Sequence, residues 1–180
     1  MVSVSSNQAV MTASVQRAMP VSQIMRWLEG VPDPEIPVLS VVDLGIIRDV
    51  AWDGETCVVT ITPTYSGCPA MREISEDISR TLAHHGITHI RIQTQLAPAW
   101  TTDWMTARGR AALKDYGIAA PVERAVDISG ISRRTPAPVV VCPHCNSSDT
   151  RLVSHFGSTS CKALYRCQAC REPFDYFKSH

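Results

Sequence analysis

Residues 142–170 read CPHCNSSDTRLVSHFGSTSCKALYRCQAC, a stretch that begins and ends with a Cys-x-x-Cys pair. Each pair places two sulfurs on one side of a tight turn, and four thiolates on facing turns suit a tetrahedral metal ion. A module of about 40 residues buries too little surface to fold alone, so the metal would hold it together. The spacing predicts a zinc ribbon over residues 139–180, with structural zinc on Cys142, Cys145, Cys167 and Cys170. Iron or an iron–sulfur cluster is the alternative, since four thiolates also suit iron.

The charge of the chain is balanced, because 17 basic and 17 acidic residues cancel. Such a chain lacks the basic footprint of nucleic-acid binding. It has neither the pattern of a signal peptide at its start nor an apolar run of about 18 residues. We therefore expect a soluble, cytoplasmic protein without nucleic-acid or membrane partners. In the cytosol, paired cysteines hold metal more readily than they form disulfides.

The body of the chain, residues 20–118, alternates helix and strand signals. Apolar residues spaced by three and four predict helices at 21–28, about 69–84 and about 102–116, and β-rich runs predict strands at 46–52, 56–62 and 89–96. Asp53-Gly54 suits a hairpin turn between the first two strands. The order helix, strand, strand, helix, strand, helix predicts a small open α+β sandwich. A flexible N-terminus over 1–19 and a linker over 119–138 complete the expected domains.

Cys68 lies in the sequence Gly67-Cys68-Pro69, at the expected start of the second helix. Gly67 allows a tight turn and Pro69 suits the first helical position, so helix amides would favour a thiolate at Cys68. Such a thiol is primed for metal, sulfide or thiol exchange. The alternative is a strand-to-helix turn with a half-buried cysteine. Cys57 is expected in the core, and Cys161 is a buried residue, an alternative ligand or a reactive thiol, with burial favoured.

Three acids, Asp33, Glu35 and Asp43, precede this loop in the sequence. They either line a site or cap short turns, and the pattern favours capping. Three histidines flank the end of the second helix, where imidazolium can cap carbonyls, so capping is favoured over metal binding for His84, His85 and His89.

Several motifs carry a resemblance to known families. The body resembles the small iron–sulfur-assembly domain typified by SufT through DPEIP at 33–37, SVVDLG at 40–45, TPTYSGCP at 62–69 and WTTDWM at 100–105. The tail, with FGST at 156–159, CKA at 161–163 and EPFDYFK at 172–178, is similar to the PaaD family of the bacterial phenylacetate pathway.

The resemblance implies an accessory or maturation subunit of the multicomponent phenylacetyl-CoA 1,2-epoxidase, whose components would be its partners. It implies no activity of the chain alone, and the chain has no Gly-rich nucleotide fingerprint. The implied task is assembly of an iron or iron–sulfur centre, with Cys68 as a transient ligand near Asp33, Glu35, Asp43 and Thr64. A docking subunit between oxygenase and reductase, and an iron-bearing redox component, are the alternatives. Whether the body also forms a homodimer is left open.

Overall fold

The computed structural model describes residues 19–122 and 139–179 and shows a mixed α+β chain. The chain divides into two compact units, Met1–Trp100 and Thr101–His180. The elements are α1 Val21–Leu28, β1 Ile47–Asp53, β2 Thr56–Ile61, α2 Met71–His84, β3 Ile90–Thr94, α3 Ala107–Asp115, β4 Ile118–Ala119, β5 Thr150–Ser154, β6 Lys162–Cys167 and β7 Pro173–Phe177. The predicted flexible N-terminus and linker fall outside the described residues, apart from residues 19 and 119–122.

The first unit is built on a three-stranded sheet in the order β1-β2-β3. β1 and β2 are antiparallel and are joined through Gly54, whose φ of 60° suits the tight turn, so the predicted hairpin is confirmed. β3 runs parallel to β2 because α2 returns the chain across the sheet. α2 ends before Gly86, whose φ of 88° lies in the left-handed region that stops helices.

The core of the first unit lies between the sheet and the two helices. Apolar side chains at helical spacing in α1 and α2 are completely buried: Ile24, Leu28, Ile74, Ile78 and Leu82. Cys57 in β2 is also completely buried, which confirms its predicted place in the core, and burial raises the pKa of its thiol. The predicted amphipathic pattern therefore fixes which faces of α1 and α2 meet the sheet.

The predicted third helix, over 102–116, is wrong in its extent. The structure has a 3₁₀ turn at Thr102–Trp104, then two extended residues, and only then α3. Met105 and Thr106 have ψ values of 137° and 155°, which break the helical hydrogen-bond ladder. The Thr106 hydroxyl oxygen accepts a hydrogen bond from the Gly109 amide at 2.9 Å, so Thr106 restarts the helix as its N-cap.

The second unit contains a four-stranded sheet in the order β4-β7-β6-β5. β5 and β6 lie within the ribbon predicted over residues 139–180, whereas β4 and β7 were not predicted as strands. The inner face of this sheet packs a small core of Ala119, Val140, Cys142, Ala163, Cys167, Phe174 and Tyr176. Two of the cysteines expected to hold metal are thus part of the core. No helix within the described ranges is long and apolar enough to cross a membrane.

Candidate metal centre and thiol site

The two Cys-x-x-Cys pairs meet in space. The sulfurs of Cys142, Cys145, Cys167 and Cys170 all lie within 4.8 Å of one another, and they form the one such group of His, Cys, Asp or Glu in the part of the chain that the structure describes. The Cys142 and Cys170 sulfurs are 3.8 Å apart, and those of Cys145 and Cys167 are 3.5 Å apart. Metal–sulfur bonds of about 2.3 Å in a tetrahedron separate sulfurs by about 3.8 Å. The four side chains therefore fit a tetrahedral metal ion.

Both cysteine turns use the same backbone design. The Cys142 amide donates to the Ser147 carbonyl at 2.9 Å, and the Cys167 amide donates to the Glu172 carbonyl at 3.0 Å. The residue after each pair is left-handed, with φ of 59° at Asn146 and 69° at Arg171. Asparagine adopts this conformation readily and arginine rarely does. The two turns thus present their sulfurs in the same way from opposite ends of the ribbon sequence.

Backbone amides favour the thiolate form of the Cys167 sulfur. The Cys170 amide donates to it at 3.5 Å and lowers its pKa to about 6, against the opposing effect of burial. The neighbouring thiols of Cys145 and Cys170 lower this pKa further. Metals bind thiolates rather than thiols, so this lowered pKa favours Cys167 as a metal ligand.

Cys161 lies outside this four-sulfur group. Only 4% of the residue is exposed, and its sulfur lies 3.0 Å from the Thr159 hydroxyl oxygen. Burial, the favoured interpretation of Cys161, is confirmed.

Cys68 lies in the loop between β2 and α2 of the first unit. It is partly buried, and its amide donates to the Tyr65 carbonyl at 3.1 Å. α2 begins at Met71 with Ala70 as its N-cap, slightly later than predicted. The amides of Ala70 and Met71 lower the pKa of the Cys68 thiol, and the Met71 amide also donates to the Cys68 carbonyl oxygen at 3.5 Å. The predicted approach of helix amides to this thiol is therefore present.

The direction of the Cys68 pKa is nevertheless opposite to the prediction. Burial raises the pKa of the Cys68 thiol, and the charges of Glu35 and Asp33 raise it further. The helix-start amides lower it by less than these effects raise it. The expected stabilised thiolate was wrong chiefly because the thiol is partly buried, and the two acids of the loop 31–39 add to this effect. Local sequence showed neither the burial nor the approach of the acids. Cys68 rests as a thiol with carboxylates near it.

The acids of the candidate site also cap turns, as the sequence favoured. The carboxylate of buried Asp33 accepts the amides of Glu35 at 2.9 Å and Ile36 at 2.8 Å. Buried Asp43 accepts the Ser40 hydroxyl at 2.9 Å. Asp33 and Glu35 are close enough to Cys68 to shift its pKa. Asp43 and Thr64 are buried in the same unit, and their grouping with Cys68 stays a prediction.

Thr62 is a feature of this loop that sequence reasoning missed. Only 1% of the residue is exposed, and its hydroxyl has no hydrogen-bond partner within residues 19–122 or 139–179. An unsatisfied buried hydroxyl costs on the order of 1–3 kcal/mol. The sequence feature that could have indicated this buried hydroxyl is a threonine directly before Pro63, at the end of a buried strand. The loop that ends in Cys68 thus begins with a buried hydroxyl group, that of Thr62, which forms no hydrogen bond within the described residues.

The histidines at the end of α2 do not cap carbonyls through their rings in the described structure. The His85 ring stacks on Trp27 with 4.1 Å between centroids, and His84 meets His85 edge-on. Aromatic packing between α1 and α2 replaces the capping that we expected.

Removing the charge of Glu35 is expected to speed alkylation of Cys68 by iodoacetamide at neutral pH. The carboxylate raises the pKa of the thiol, so Glu35→Gln lowers that pKa and increases the reactive thiolate fraction. Mass spectrometry of the Cys68 peptide across a pH series measures the rate. The pH–rate midpoint should shift downward in Glu35→Gln and stay in place in the exposed control Glu55→Gln. Superimposable profiles for Glu35→Gln and the unmodified chain would contradict this account.

Comparison with known proteins adds two family models. Residues 22–86 match the model described as iron–sulfur cluster assembly protein, and residues 127–178 match the PaaD zinc beta ribbon domain. The second match spans all four cysteines of the metal centre. The ribbon is therefore a metal-binding module by geometry and by family.

Individual relatives match either most of the chain or about half of it. The chain is 50% identical over 159 residues to an Escherichia coli (strain K12) protein assigned as a 1,2-phenylacetyl-CoA epoxidase subunit, covering 88% of this chain and 92% of that protein. It is 41% identical over 86 residues to an Fe-S protein maturation auxiliary factor of Porphyromonas gingivalis, covering 46% of this chain and 80% of that protein. A DUF59 crystal structure from Bacillus anthracis, 27% identical, covers 58% of this chain and 96% of its own, with a TM-score of 0.49. The chain shares 50% sequence identity with nearly the whole Escherichia coli protein, and it matches the PaaD ribbon domain. These two findings show that the chain belongs to the PaaD family.

Proposed function

We propose that this chain is a non-catalytic accessory subunit that matures a phenylacetyl-CoA epoxidase in the cytoplasm by assisting assembly of an iron or iron–sulfur centre. The observation that carries the proposal is the joint match within one chain. A relative assigned as an epoxidase subunit matches almost throughout, and an Fe-S protein maturation auxiliary factor matches about half of the chain. In this proposal residues 20–118 form the assembly domain and 139–180 the ribbon.

Cys68 is the proposed transient ligand of the iron or cluster that is passed on. Its thiol is partly buried, and the charges of Asp33 and Glu35 act on it. The same carboxylates that disfavour an isolated thiolate attract a cation, and bound iron replaces the thiol proton. Asp43 and Thr64 complete the proposed set, and the unused Thr62 hydroxyl supplies a further polar group in the loop. A single protein thiolate holds a metal weakly enough for release to a client.

The resident metal of the ribbon is zinc in this proposal, with a structural role. Cys142, Cys145, Cys167 and Cys170 supply four sulfurs at tetrahedral spacing, so the protein fills every position around the ion. No position is left for a substrate or water. Zinc has no redox chemistry, so its function here is to hold a small sheet together.

The proposal is tested by producing the epoxidase components with and without this chain and purifying them anaerobically. Because the chain is proposed to act before turnover, the enzyme made without it should contain less iron per active site and show proportionally less activity. Inductively coupled plasma mass spectrometry measures the iron. Activity that drops while iron content stays complete would contradict a maturation role and favour a docking role.

A further inference from the structure

Two arginines face each other across the ribbon sheet. Arg151 in β5 pairs directly with Arg166 in β6, and both side chains are exposed. Directly opposed residues on antiparallel strands have Cβ atoms about 5 Å apart on one face, and like charges in this position destabilise the pair. The sheet therefore tolerates an unfavourable arrangement at this point.

Neither arginine is neutralised within the described ribbon residues. No carboxylate there lies within ion-pair distance of Arg151 or Arg166. The one side-chain hydrogen bond of these two arginines runs from Arg166 Nε to the Arg171 carbonyl at 3.3 Å. The same sheet does pair another cation, since buried Lys162 lies 3.6 Å from Asp175. Within residues 139–179, Lys162 therefore has a carboxylate partner that Arg151 and Arg166 lack.

The described ribbon, residues 139–179, has more basic than acidic side chains, apart from the charge of about −2 that four thiolates on a divalent ion would add at the metal centre. It contains five basic residues against three acids: Arg151, Lys162, Arg166, Arg171 and Lys178 against Asp149, Glu172 and Asp175. An excess of exposed arginine favours association with an acidic surface. Arginine is well suited to this role because its planar fork binds a carboxylate through two hydrogen bonds.

A surface groove of about 310 Å³ lies over the same strands, lined by Arg151, Leu152, Val153, Arg166 and Gln168. Val153 is 57% exposed although it is apolar. A groove with two arginines beside exposed apolar surface resembles a protein-binding surface, where arginine contacts and apolar contacts occur together. A purely polar ligand would leave the Val153 surface uncovered.

We propose that this arginine face, formed by Arg151, Val153 and Arg166, docks an acidic segment of a partner protein in which carboxylates flank apolar residues. Carboxylates of the partner would neutralise the two arginines, and an apolar side chain would cover Val153. This inference rests on the ribbon alone, and it holds whether or not Cys68 carries iron. The competing explanation is that the arginines offset the negative charge of the four-thiolate centre, since Arg166 directly precedes Cys167.

A fluorescence-anisotropy titration of the full chain with a short fluorescein-labelled peptide of alternating Glu and Val tests the proposal. The unmodified chain should bind the peptide, and the affinity should fall as salt increases. Arg151→Glu combined with Arg166→Glu should weaken binding roughly tenfold or more. The control, Arg72→Glu with Arg80→Glu, changes the net charge equally at exposed sites on α2 and should bind like the unmodified chain.

Charge reversal gives a second readout that a merely structural role would not produce. The double variant Arg151→Glu, Arg166→Glu should gain affinity for the matching Lys–Val peptide, which the unmodified chain should not bind. Arg151→Glu alone should raise the thermal midpoint of unfolding, because it replaces a repulsive pair by an attractive one. The same substitution should weaken binding of the Glu–Val peptide. Metal content should stay unchanged in all of these variants.

Several results would overturn the proposal. No binding of the Glu–Val peptide by the unmodified chain would do so, as would equal binding by the double variant and its control. Loss of ribbon metal in the double variant would assign the arginines to the metal centre instead. Displacement of the peptide by inorganic phosphate at concentrations far below those of competing chloride would show a small-anion site rather than a docking surface.

Discussion

Replacing Cys142 by serine is expected to release the metal of the ribbon and to unfold its sheet. Cys142 is completely buried, supplies one of the four clustered sulfurs and belongs to the small core of the second unit. Structural zinc contributes on the order of 10 kcal/mol or more to modules of this kind, which exceeds what so small a core supplies. Mass spectrometry should detect about one zinc ion per unmodified chain and far less in Cys142→Ser. Limited proteolysis should cut the variant within residues 139–179.

The matched control for this experiment is Cys161→Ser. Cys161 is also buried in the second unit but lies outside the four-sulfur group, so its variant should keep the metal. Metal retention and protease resistance in Cys142→Ser would contradict the structural role. Iron instead of zinc in the unmodified ribbon would contradict the zinc assignment and favour a redox component.

Replacing Cys68 by serine is expected to abolish most iron binding by the first unit. The proposed site offers one thiolate ligand beside Asp33 and Glu35, and a serine hydroxyl is a much poorer ligand for iron than a thiolate. After anaerobic incubation with ferrous iron and sulfide, followed by desalting, we expect roughly tenfold less bound iron in Cys68→Ser. The zinc of the ribbon should be unchanged, because Cys68 is not part of the four-sulfur group.

Cys57→Ala is the control for this variant. Cys57 is a buried residue of β2, and its loss should affect stability slightly and iron binding hardly at all. Equal iron uptake by Cys68→Ser and Cys57→Ala would remove Cys68 from the proposed site.

Local sequence patterns predicted much of the fold. The spacing of apolar residues in α1 and α2 and the turn at Gly54 are local signals, and each appears where it was expected. The metal centre could also be predicted from the sequence, because four cysteines in two Cys-x-x-Cys pairs leave few other ways to group the ligands. The alternation of Phe174 and Tyr176 around Asp175 would also have identified β7, had its period of two been considered.

Features that depend on distant segments were harder to predict. β4 has two residues and shows no periodicity, and it exists because it pairs with β7. The break before α3 depends on the conformation of two residues, Met105 and Thr106. The pKa of Cys68 was predicted in the wrong direction because it depends mainly on burial of the thiol, and then on Glu35 and Asp33, which are more than thirty positions away in the sequence. The electrostatic environment of a site depends on tertiary structure, whereas a turn motif can be recognised from local sequence.

Iron delivery to an epoxidase by Cys68 is tested by the iron content of the purified epoxidase after co-expression with the unmodified chain, with Cys68→Ser or with Cys57→Ala. We expect iron content and activity to fall together with Cys68→Ser and to remain normal with Cys57→Ala, while all three chains keep their ribbon zinc. Full iron loading of the epoxidase in the presence of Cys68→Ser would rule out Cys68 as the residue that delivers iron.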